Sequence, residues 1–594
     1  MSNAVATSKR SAILYSRSSF ITYFYSMLLV YFIIDWYFFE KSISLFNGLI
    51  YSNINTIIFI FFIFILSFFI LTLTSFYPVN MVQNTTNKIE DITNNSIVTR
   101  KDGLISSDFA NKELGLKEIF QIERDHYKII EYPLIIQFII IGGITLLSSN
   151  DLITIFLSIE LQSYGLYILS TIYRNSESST GAGLTYFLLG GLSSCIILLG
   201  LSFLYINSGT TSLDSLYLIY NIITSDDNLL FNFNALLANG QDLTSTNELL
   251  NTGLPLFSLN NYQYTIQFSL VVLCVGFLFK ISAAPFHSWS PGVYDAIPTV
   301  TTTFVAIIPK ISILILLFDL VYSTWYTTFN YSWTSILLFS SFLSLIIGSI
   351  LGLTQYRIKR LYAYSTISHV GFILLALSVH SVESIQAFFF YIIQYSLSNL
   401  NAFLILILIG YSYINYYKKT EGYESISSLY KRYKEKTNEL SPIEYIDNLK
   451  GYFYLNPILA ISFSITLYSF IGVPPLVGFF AKQMVLSSAL DNGDIFICLV
   501  AILTSVISAV YYLYIVKHMF FEKSKFNLNV SLKNIINSKG NTSHSTSYDT
   551  LNTITLSNWL TISISILSLT MLLFIFLYYE IYFLMSIISI LLIY

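Results

Sequence analysis

Charged side chains are scarce in this chain of 594 residues, since Asp, Glu, Lys and Arg together make up only 11% of it. Soluble domains carry about 25% charged residues. Hydrophobic residues account for 54% of the chain, and apolar runs recur along nearly its whole length. A soluble multidomain protein is therefore excluded, and the composition predicts helices embedded in a lipid bilayer. The basic residues form no dominant patch, so nucleic acid is not an expected partner.

Cysteine is also rare, and its three copies, Cys195, Cys274 and Cys498, lie far apart, each inside an apolar run. The sequence contains no CxxC pair that could hold zinc or an iron–sulfur cluster. It therefore predicts three buried, unreactive thiols and no cofactor or metal bound by this chain.

Thirteen apolar segments have a length near the 20 residues that a membrane-spanning helix needs. They run over residues 20–39, 55–77, 132–149, 151–172, 182–206, 264–292, 299–322, 335–355, 361–379, 385–413, 457–490, 495–520 and 558–580. The apolar tail after Glu580 is either a fourteenth helix or an extension of the last one. The predicted fold is thus an all-α polytopic membrane protein with about 13 to 14 transmembrane helices.

The Lys and Arg residues between these segments predict which way the helices cross the membrane. We call the side of the N-terminus side X and the opposite side Y. The segments on side X hold 25 basic residues, and those on side Y hold only Lys41. Since basic loops stay on the cytoplasmic face, or on the matrix face of a mitochondrion, side X is predicted to be that face.

Three lysines and one glutamate are nevertheless predicted to lie near the middle of the membrane: Glu160, Lys280, Lys310 and Lys482. A charge at the centre of a bilayer costs roughly 3 kcal/mol or more, so each needs a partner or a function. They form ion pairs that only hold helices together, extend their charged ends toward the membrane surface, or carry protons. Burial lowers the pKa of a lysine and a nearby carboxylate raises it again, so a buried lysine can exchange a proton near neutral pH. Glu160 is the one acid placed clearly inside a helix, and we expect it to pair with Lys280.

Prolines interrupt two of the helices that carry these lysines. Pro285 follows Lys280 by five residues, and Pro474 and Pro475 shortly precede Lys482. Proline breaks a helix, and broken helices at membrane depth line hydrated cavities in transporters. A titratable histidine, His369, lies inside another helix and is interpreted either as a proton carrier or as a packed polar group.

Counting the helices also predicts an internal repeat. Helices three to seven and helices eight to twelve form two sets of five, and the odd number inverts the second set in the membrane. The fourth helix of each set is broken and carries a lysine. The predicted segments are the N-terminal helices and a polar loop (1–131), the first repeat (132–322), the second repeat (335–520, with a polar insert at 414–456) and a polar loop with the last helix (521–594).

Three stretches resemble the antiporter-like, proton-translocating membrane subunits shared by respiratory complex I and multisubunit Na⁺/H⁺ antiporters. They are KRLYAYSTISHVGF from Lys359, FKISAAPFHSWSPGVYDAIPTVTT from Phe279 and GVPPLVGFFAKQMVL from Gly472. A fourth run, SIELQSYGLYIL from Ser158, favours the complex I branch. The resemblance covers about residues 130–520.

The resemblance implies roles for the charged residues. Glu160 and Lys280 would be the input pair, Lys310 the connector and Lys482 the exit lysine, with His369 in the same relay. The chain would belong to a proton-translocating NADH:ubiquinone reductase while carrying out no redox chemistry itself.

The resemblance also implies surroundings for the chain. FMN, iron–sulfur clusters and ubiquinone would be bound by other subunits. Expected partners are chains 4L and 4 of the membrane arm, accessory subunits and a lipid such as cardiolipin, in the mitochondrial inner membrane with the N-terminus and the basic loops on the matrix side.

Two alternatives stay open: an Na⁺/H⁺ antiporter subunit of the same fold, and a structural membrane subunit that pumps nothing. One departure from the family is visible. Bacterial members have fourteen helices beginning on side Y, whereas thirteen beginning on side X are counted here, so we expect the first helix to be lost or replaced.

Overall fold

The computed structural model describes residues 12–37, 42–75, 131–173, 176–219, 256–323, 333–379, 381–412, 443–454, 456–523 and 558–593. Nearly all of the predicted polar loop at 78–131 and most of the insert at 414–456 lie outside the described residues, as does Lys41.

Sixteen α-helices account for most of these described residues. They are α1 (Ala12–Tyr37), α2 (Ile54–Ser75), α3 (Tyr132–Leu147), α4 (Leu152–Thr171), α5 (Glu177–Ser208), α6 (Leu256–Ile281), α7 (Trp289–Ala296), α8 (Thr299–Ser323), α9 (Ser335–Leu353), α10 (Ile358–Ser378), α11 (Val382–Ser412), α12 (Pro457–Ile471), α13 (Val477–Asp491), α14 (Ile495–Phe521), α15 (Asn558–Leu572) and α16 (Phe574–Ile593).

Each predicted apolar segment coincides with one of these helices or with a consecutive pair. Within the described ranges, nine helices are long and apolar enough to cross a membrane by themselves, and α15 with α16 forms a bent pair. Helices suit these sequences because lipid offers no hydrogen bonds, so backbone groups must be satisfied within the segment. The prediction of an all-α polytopic membrane protein is confirmed.

Both predicted helix breaks are present. The first separates α6 from α7 and contains Pro285, and the second separates α12 from α13 and contains Pro474 and Pro475. Gly472 ends α12 with a φ of 88°, a left-handed conformation that glycine adopts without steric cost. Two interrupted helices therefore lie at the positions where the sequence places its prolines.

The centre of the bundle is formed by α8, α10 and α11, which are almost entirely buried. In contrast, only 39% of the spans of α5 and α14 is buried, and many of their exposed side chains are large and apolar, as expected for contact with lipid. The three central helices carry most of the buried polar side chains considered below.

The predicted inverted repeats and the four predicted segment boundaries stay predictions.

Three details differ from the predictions. A short antiparallel hairpin, Ser42–Leu45 with Ile50–Asn53, joins α1 to α2. The last apolar segment divides at Leu573, where α16 bends by 80° from α15, and not at Glu580. The exposed Cys195 contradicts the prediction of three buried thiols, since α5 turns that side chain outward.

Candidate functional site

Glu160 and Lys280 meet between α4 and α6. The Lys280 Nζ donates to Glu160 Oε1 over 3.5 Å, and the two side chains are 8% and 13% exposed for Lys280 and Glu160, respectively. The helix α4 is fixed at its start by Asp151, whose carboxylate accepts a hydrogen bond from the Ile153 amide. Lys280 lies in the last turn of α6, directly before the break. The structure thus brings together the two residues that the sequence predicts to pair.

A small cavity opens beside this pair, between α4, α5, α6 and α8. Its volume of about 30 Å³ is enough for one or two water molecules. Lys280 and Gln162 line it together with Pro309 of α8. Gln162 also exchanges hydrogen bonds with Ser312 over 3.0 and 3.2 Å, so this polar pair joins α4 to α8 next to the cavity.

Lys310 lies in the middle of α8, where its side chain is only 2% exposed. Its Nζ donates to Thr366 Oγ1 of α10 over 3.3 Å and lies 5.7 Å from the centre of the Tyr294 ring. Pro309 precedes it without ending the helix, since α8 continues to Ser323. Lys310 is therefore held by a hydroxyl and an aromatic ring, in contrast to the carboxylate that holds Lys280.

His369 is buried in α10 and contacts two tyrosines. Its Nδ1 lies 2.9 Å from Tyr391 Oη, and its Nε2 lies 3.5 Å from Tyr512 Oη. The Tyr512 hydroxyl also forms a short hydrogen bond with Ser365. The histidine thus belongs to a buried hydrogen-bonded chain that links Tyr391 of α11 to Tyr512 of α14.

Lys482 lies in α13, immediately beyond the second break. Its Nζ donates to the carbonyl oxygens of Phe470 and Ile471 over 3.0 and 2.9 Å. These carbonyls belong to the last turn of α12, which the break deprives of its next helical turn. Phe470 also packs against His369, with ring centres 5.2 Å apart, so Lys482 and the histidine share one neighbour.

Sequence reasoning missed the buried position of Lys359, which it counted among the loop residues of side X. Its side chain is 2% exposed, and its Nζ donates to the carbonyl of Ile297 over 2.6 Å. The flanking Arg357 and Arg360 point elsewhere, because both donate to Asp295 Oδ2, over 2.6 and 2.9 Å. The hydrogen bond to Asp295 raises the pKa of the Arg357 guanidinium further above its ordinary value, so this group stays charged.

Asp319 corrects a second expectation. It lies in α8, four residues before the end of the helix, so Glu160 is not the one acid inside a spanning helix. Its signal in the sequence, an aspartate within an apolar run, is as plain as that of Glu160.

Across the described ranges, no three His, Cys, Asp or Glu side chains converge as a metal-binding group.

The comparisons with known proteins agree on a family. Residues 149–508 match the model of the family described as NADH:quinone oxidoreductase/Mrp antiporter, TM. NADH-ubiquinone oxidoreductase chain 2 of Rhizopus oryzae is 45% identical over 418 residues, which cover 70% of this chain and 67% of the relative. NADH-quinone oxidoreductase subunit N of Pelagibacter ubique is 34% identical, over 67% of this chain and 70% of its own.

Two solved structures share the fold. Respiratory complex I from Thermus thermophilus contains a chain that aligns with a TM-score of 0.59 at 20% identity, covering 94% of this chain and 90% of that one. A chain of the Mrp complex from Dietzia aligns with a TM-score of 0.65 at 15% identity, covering 99% and 93%. The relatives named chain 2 agree with the complex I branch of the family, which the run SIELQSYGLYIL from Ser158 favours. This multi-pass membrane protein therefore belongs to the NADH:quinone oxidoreductase/Mrp antiporter family, with chain 2 of complex I among its relatives.

Proposed function

We propose that this chain translocates protons across the mitochondrial inner membrane as a core membrane-arm subunit of NADH:ubiquinone oxidoreductase. The observation that carries the proposal is the buried contact between Glu160 and Lys280 beside a cavity with room for water. The relatedness to chain 2 and to subunit N supports membership of that complex. The excess of basic residues on side X supports an N-terminus in the matrix.

The Glu160–Lys280 contact has the properties of a proton-loading site. A buried ion pair loses hydration energy, and the attraction between its charges only partly compensates, so a small change nearby alters which partner holds the proton. Moving the carboxylate away would favour release of a proton from the lysine. A water molecule in the adjacent cavity would accept that proton and carry it away from the pair.

Beyond the pair, the proposed route follows the other buried amines. A proton would pass to Lys310, then through the hydroxyl groups around His369, and leave toward side Y from Lys482. Thr366 joins Lys310 to the helix that carries His369, and Phe470 is shared by His369 and Lys482. Lysine suits every step because it can release its proton, whereas arginine stays charged.

No redox step is assigned to this chain. The energy for the proton movement would come from quinone reduction in other subunits, which would hold FMN, the iron–sulfur clusters and ubiquinone. Chains 4L and 4, accessory subunits and cardiolipin are the proposed neighbours. The long exposed apolar faces of α5 and α14 are suited to such contacts or to bulk lipid.

The test is proton pumping by the assembled complex reconstituted in vesicles with the Glu160→Gln variant. We expect NADH oxidation to continue while the number of protons moved per electron falls, because the neutral amide cannot exchange a proton with Lys280. Glu177→Gln is the matched control, since Glu177 is an exposed acid in the first turn of α5. An unchanged proton-to-electron ratio in Glu160→Gln would refute the relay and favour a structural subunit.

The same vesicles separate the proposal from an antiporter of the same fold. The fold likeness to a chain of the Mrp complex makes this comparison necessary. Proton pumping driven by NADH should proceed equally in sodium-free and sodium-containing buffer. A strict requirement for sodium on the opposite side would favour the antiporter function.

A further inference from the structure

We propose that Lys359 takes up protons from side X and delivers them to Lys310 through the hydroxyl of Tyr294. The inference rests on the proposed function, since it adds an uptake point to the same relay. The proposed loading pair of Glu160 and Lys280 is buried, so the relay still needs a group that brings protons in from side X.

Lys359 lies at the boundary between water and the interior. It is the second residue of α10, and its side chain is only 2% exposed. On either side along the chain, the side chains of Arg357 and Arg360 are 36% and 45% exposed, so solvent reaches within one helical turn. A lysine in this position can meet water by a small movement while resting in a dry site.

The contact of Lys359 leads directly to α7. Its Nζ donates to the carbonyl of Ile297, the residue that follows the last turn of α7. Three residues earlier, Tyr294 is fully buried, and its ring lies 5.7 Å from the Nζ of Lys310. Lys359 and Lys310 thus both contact α7 or its end, Lys359 through the carbonyl of Ile297 and Lys310 through the ring of Tyr294.

The hydroxyl of Tyr294 is the group that can connect them. Its Oη is buried and has no hydrogen-bond partner within the part of the chain that the structure describes. An unpaired buried hydroxyl lowers the stability of the folded protein by about 1 to 3 kcal/mol, so stability does not explain why a tyrosine occupies this position. A transient hydrogen bond with a water molecule or with a neighbouring amine supplies a reason.

The helix α10 provides a second link between the same lysines. Lys359 and Thr366 are seven residues apart, which places them on one face of the helix about 10.5 Å from each other. Thr366 Oγ1 accepts the hydrogen bond of Lys310. Both α7 and α10 therefore connect the neighbourhood of Lys359 to Lys310.

The proton balance of the step is simple. The ammonium group of Lys359 gives one proton to the hydroxyl or to a water beside it, and that group passes one of its own protons to the neutral amine of Lys310. Lys359 is then a neutral amine, and it takes one proton from water on side X. The ion pairs of Asp295 with Arg357 and Arg360 hold α7 against α10 during the exchange.

The competing explanation is that Lys359 only ties α10 to the carbonyl of Ile297. Lys359→Arg distinguishes the two, because arginine keeps the charge and the donor but does not release its proton. We expect the assembled Lys359→Arg complex to oxidise NADH while its proton uptake from side X falls at least tenfold. Lys517→Arg is the matched control, since Lys517 is an exposed lysine near the side X end of α14. Normal proton uptake in Lys359→Arg would overturn the proposal.

Two further variants make every outcome informative. If Lys359→Arg fails to assemble, Tyr294→Phe tests the same route, because it removes only the unpaired hydroxyl; slower proton uptake is expected, and an unchanged rate would overturn the route. Lys280→Met identifies failure of the relay itself. Loss of pumping in Lys280→Met together with normal pumping in Lys359→Arg would reject the uptake point alone, and normal pumping in both would reject the proposed function.

Discussion

At the scale of single residues, the buried lysines differ in what compensates their charge. Lys280 has a carboxylate, Lys310 has a hydroxyl, and Lys482 has two backbone carbonyls that the broken helix leaves open. Of these three lysines, only Lys482 therefore completes the hydrogen bonding of a helix end. Its structural role and its proposed role as the exit lysine depend on the same amine.

This difference predicts unequal effects of removing the amines. Lys482→Met should lower the amount of assembled complex, because two buried carbonyls lose their donor at a cost of about 1 to 3 kcal/mol each. Lys280→Met should assemble better, since the exposed fraction of Glu160 allows its carboxyl group to contact water or take up a proton. The measurement is the yield of complex on a native gel, with Lys517→Met as control. Equal yields from Lys482→Met and the control would contradict the structural role.

A close approach of two backbones gives a second prediction at this scale. A Cβ at Gly478 would lie 1.7 Å from the carbonyl oxygen of Ser469, so Gly478→Ala must push α13 away from α12. Such overpacking costs about 1 to 3 kcal/mol or more. At Gly191 of α5, an added Cβ meets nothing within 4 Å, so Gly191→Ala should leave assembly unchanged. Equal thermal stability of the two purified variant complexes would show that the second break is not closely packed.

Part of the candidate site could be predicted from the sequence because its signal is local. Glu160 and Lys280 are conspicuous as charges within apolar runs, and a charge there demands a partner. Lys359 has no such signal, since it stands between two arginines at a helix start and resembles a surface cluster. Its burial is decided by α7, which packs on α10 from 62 residues away in the chain.

At the scale of helices, Asp295 joins α7 to the start of α10. Its carboxylate is 7% exposed and accepts hydrogen bonds from Arg357 and Arg360. Hydrogen bonds to charged groups contribute about 1.5 to 3 kcal/mol when buried, and less where the arginines are solvated. The ion pairs therefore fix the helix that follows the first break.

Asp295→Asn should accordingly lower the unfolding temperature of the purified complex, because one amide oxygen replaces a carboxylate that serves two guanidinium groups. The matched control is Asp447→Asn, because the carboxylate of Asp447 is 68% exposed and pairs with Lys450. Exposed pairs contribute about 0 to 1 kcal/mol, so the control should change little. If both variant complexes unfold at the same temperature as the wild type, the contact of Asp295 with the two arginines does not stabilise α7.

The helices themselves were predictable, whereas the bend between α15 and α16 was not. An apolar run of sufficient length specifies a helix by itself, and proline marks both breaks. The 80° bend at Leu573 has no proline or glycine beside it. It coincides with the packing of Phe574 and Tyr578 around Phe480 of α13, which is a tertiary contact that no local pattern announces.

At the scale of the whole molecule, the buried amines lie inside an apolar bundle, and the direction of the proposed proton movement depends on how that bundle is oriented. The asymmetry of 25 basic residues against one predicts that side X faces the matrix. Two exposed residues report the sides directly. Tyr356, 74% exposed, precedes α10 on side X, and Phe46, 72% exposed, lies in the hairpin turn on side Y.

Tyr356→Cys should react with a membrane-impermeant maleimide only in inside-out vesicles, and Phe46→Cys only in mitoplasts with the outer membrane removed. The native thiols provide the background, since Cys274 and Cys498 are buried and Cys195 lies within a spanning helix that the reagent does not enter. The reversed labelling pattern would place Lys359 on the intermembrane side. Proton uptake at Lys359 would then oppose the direction of pumping, so this experiment tests the orientation on which the whole route depends.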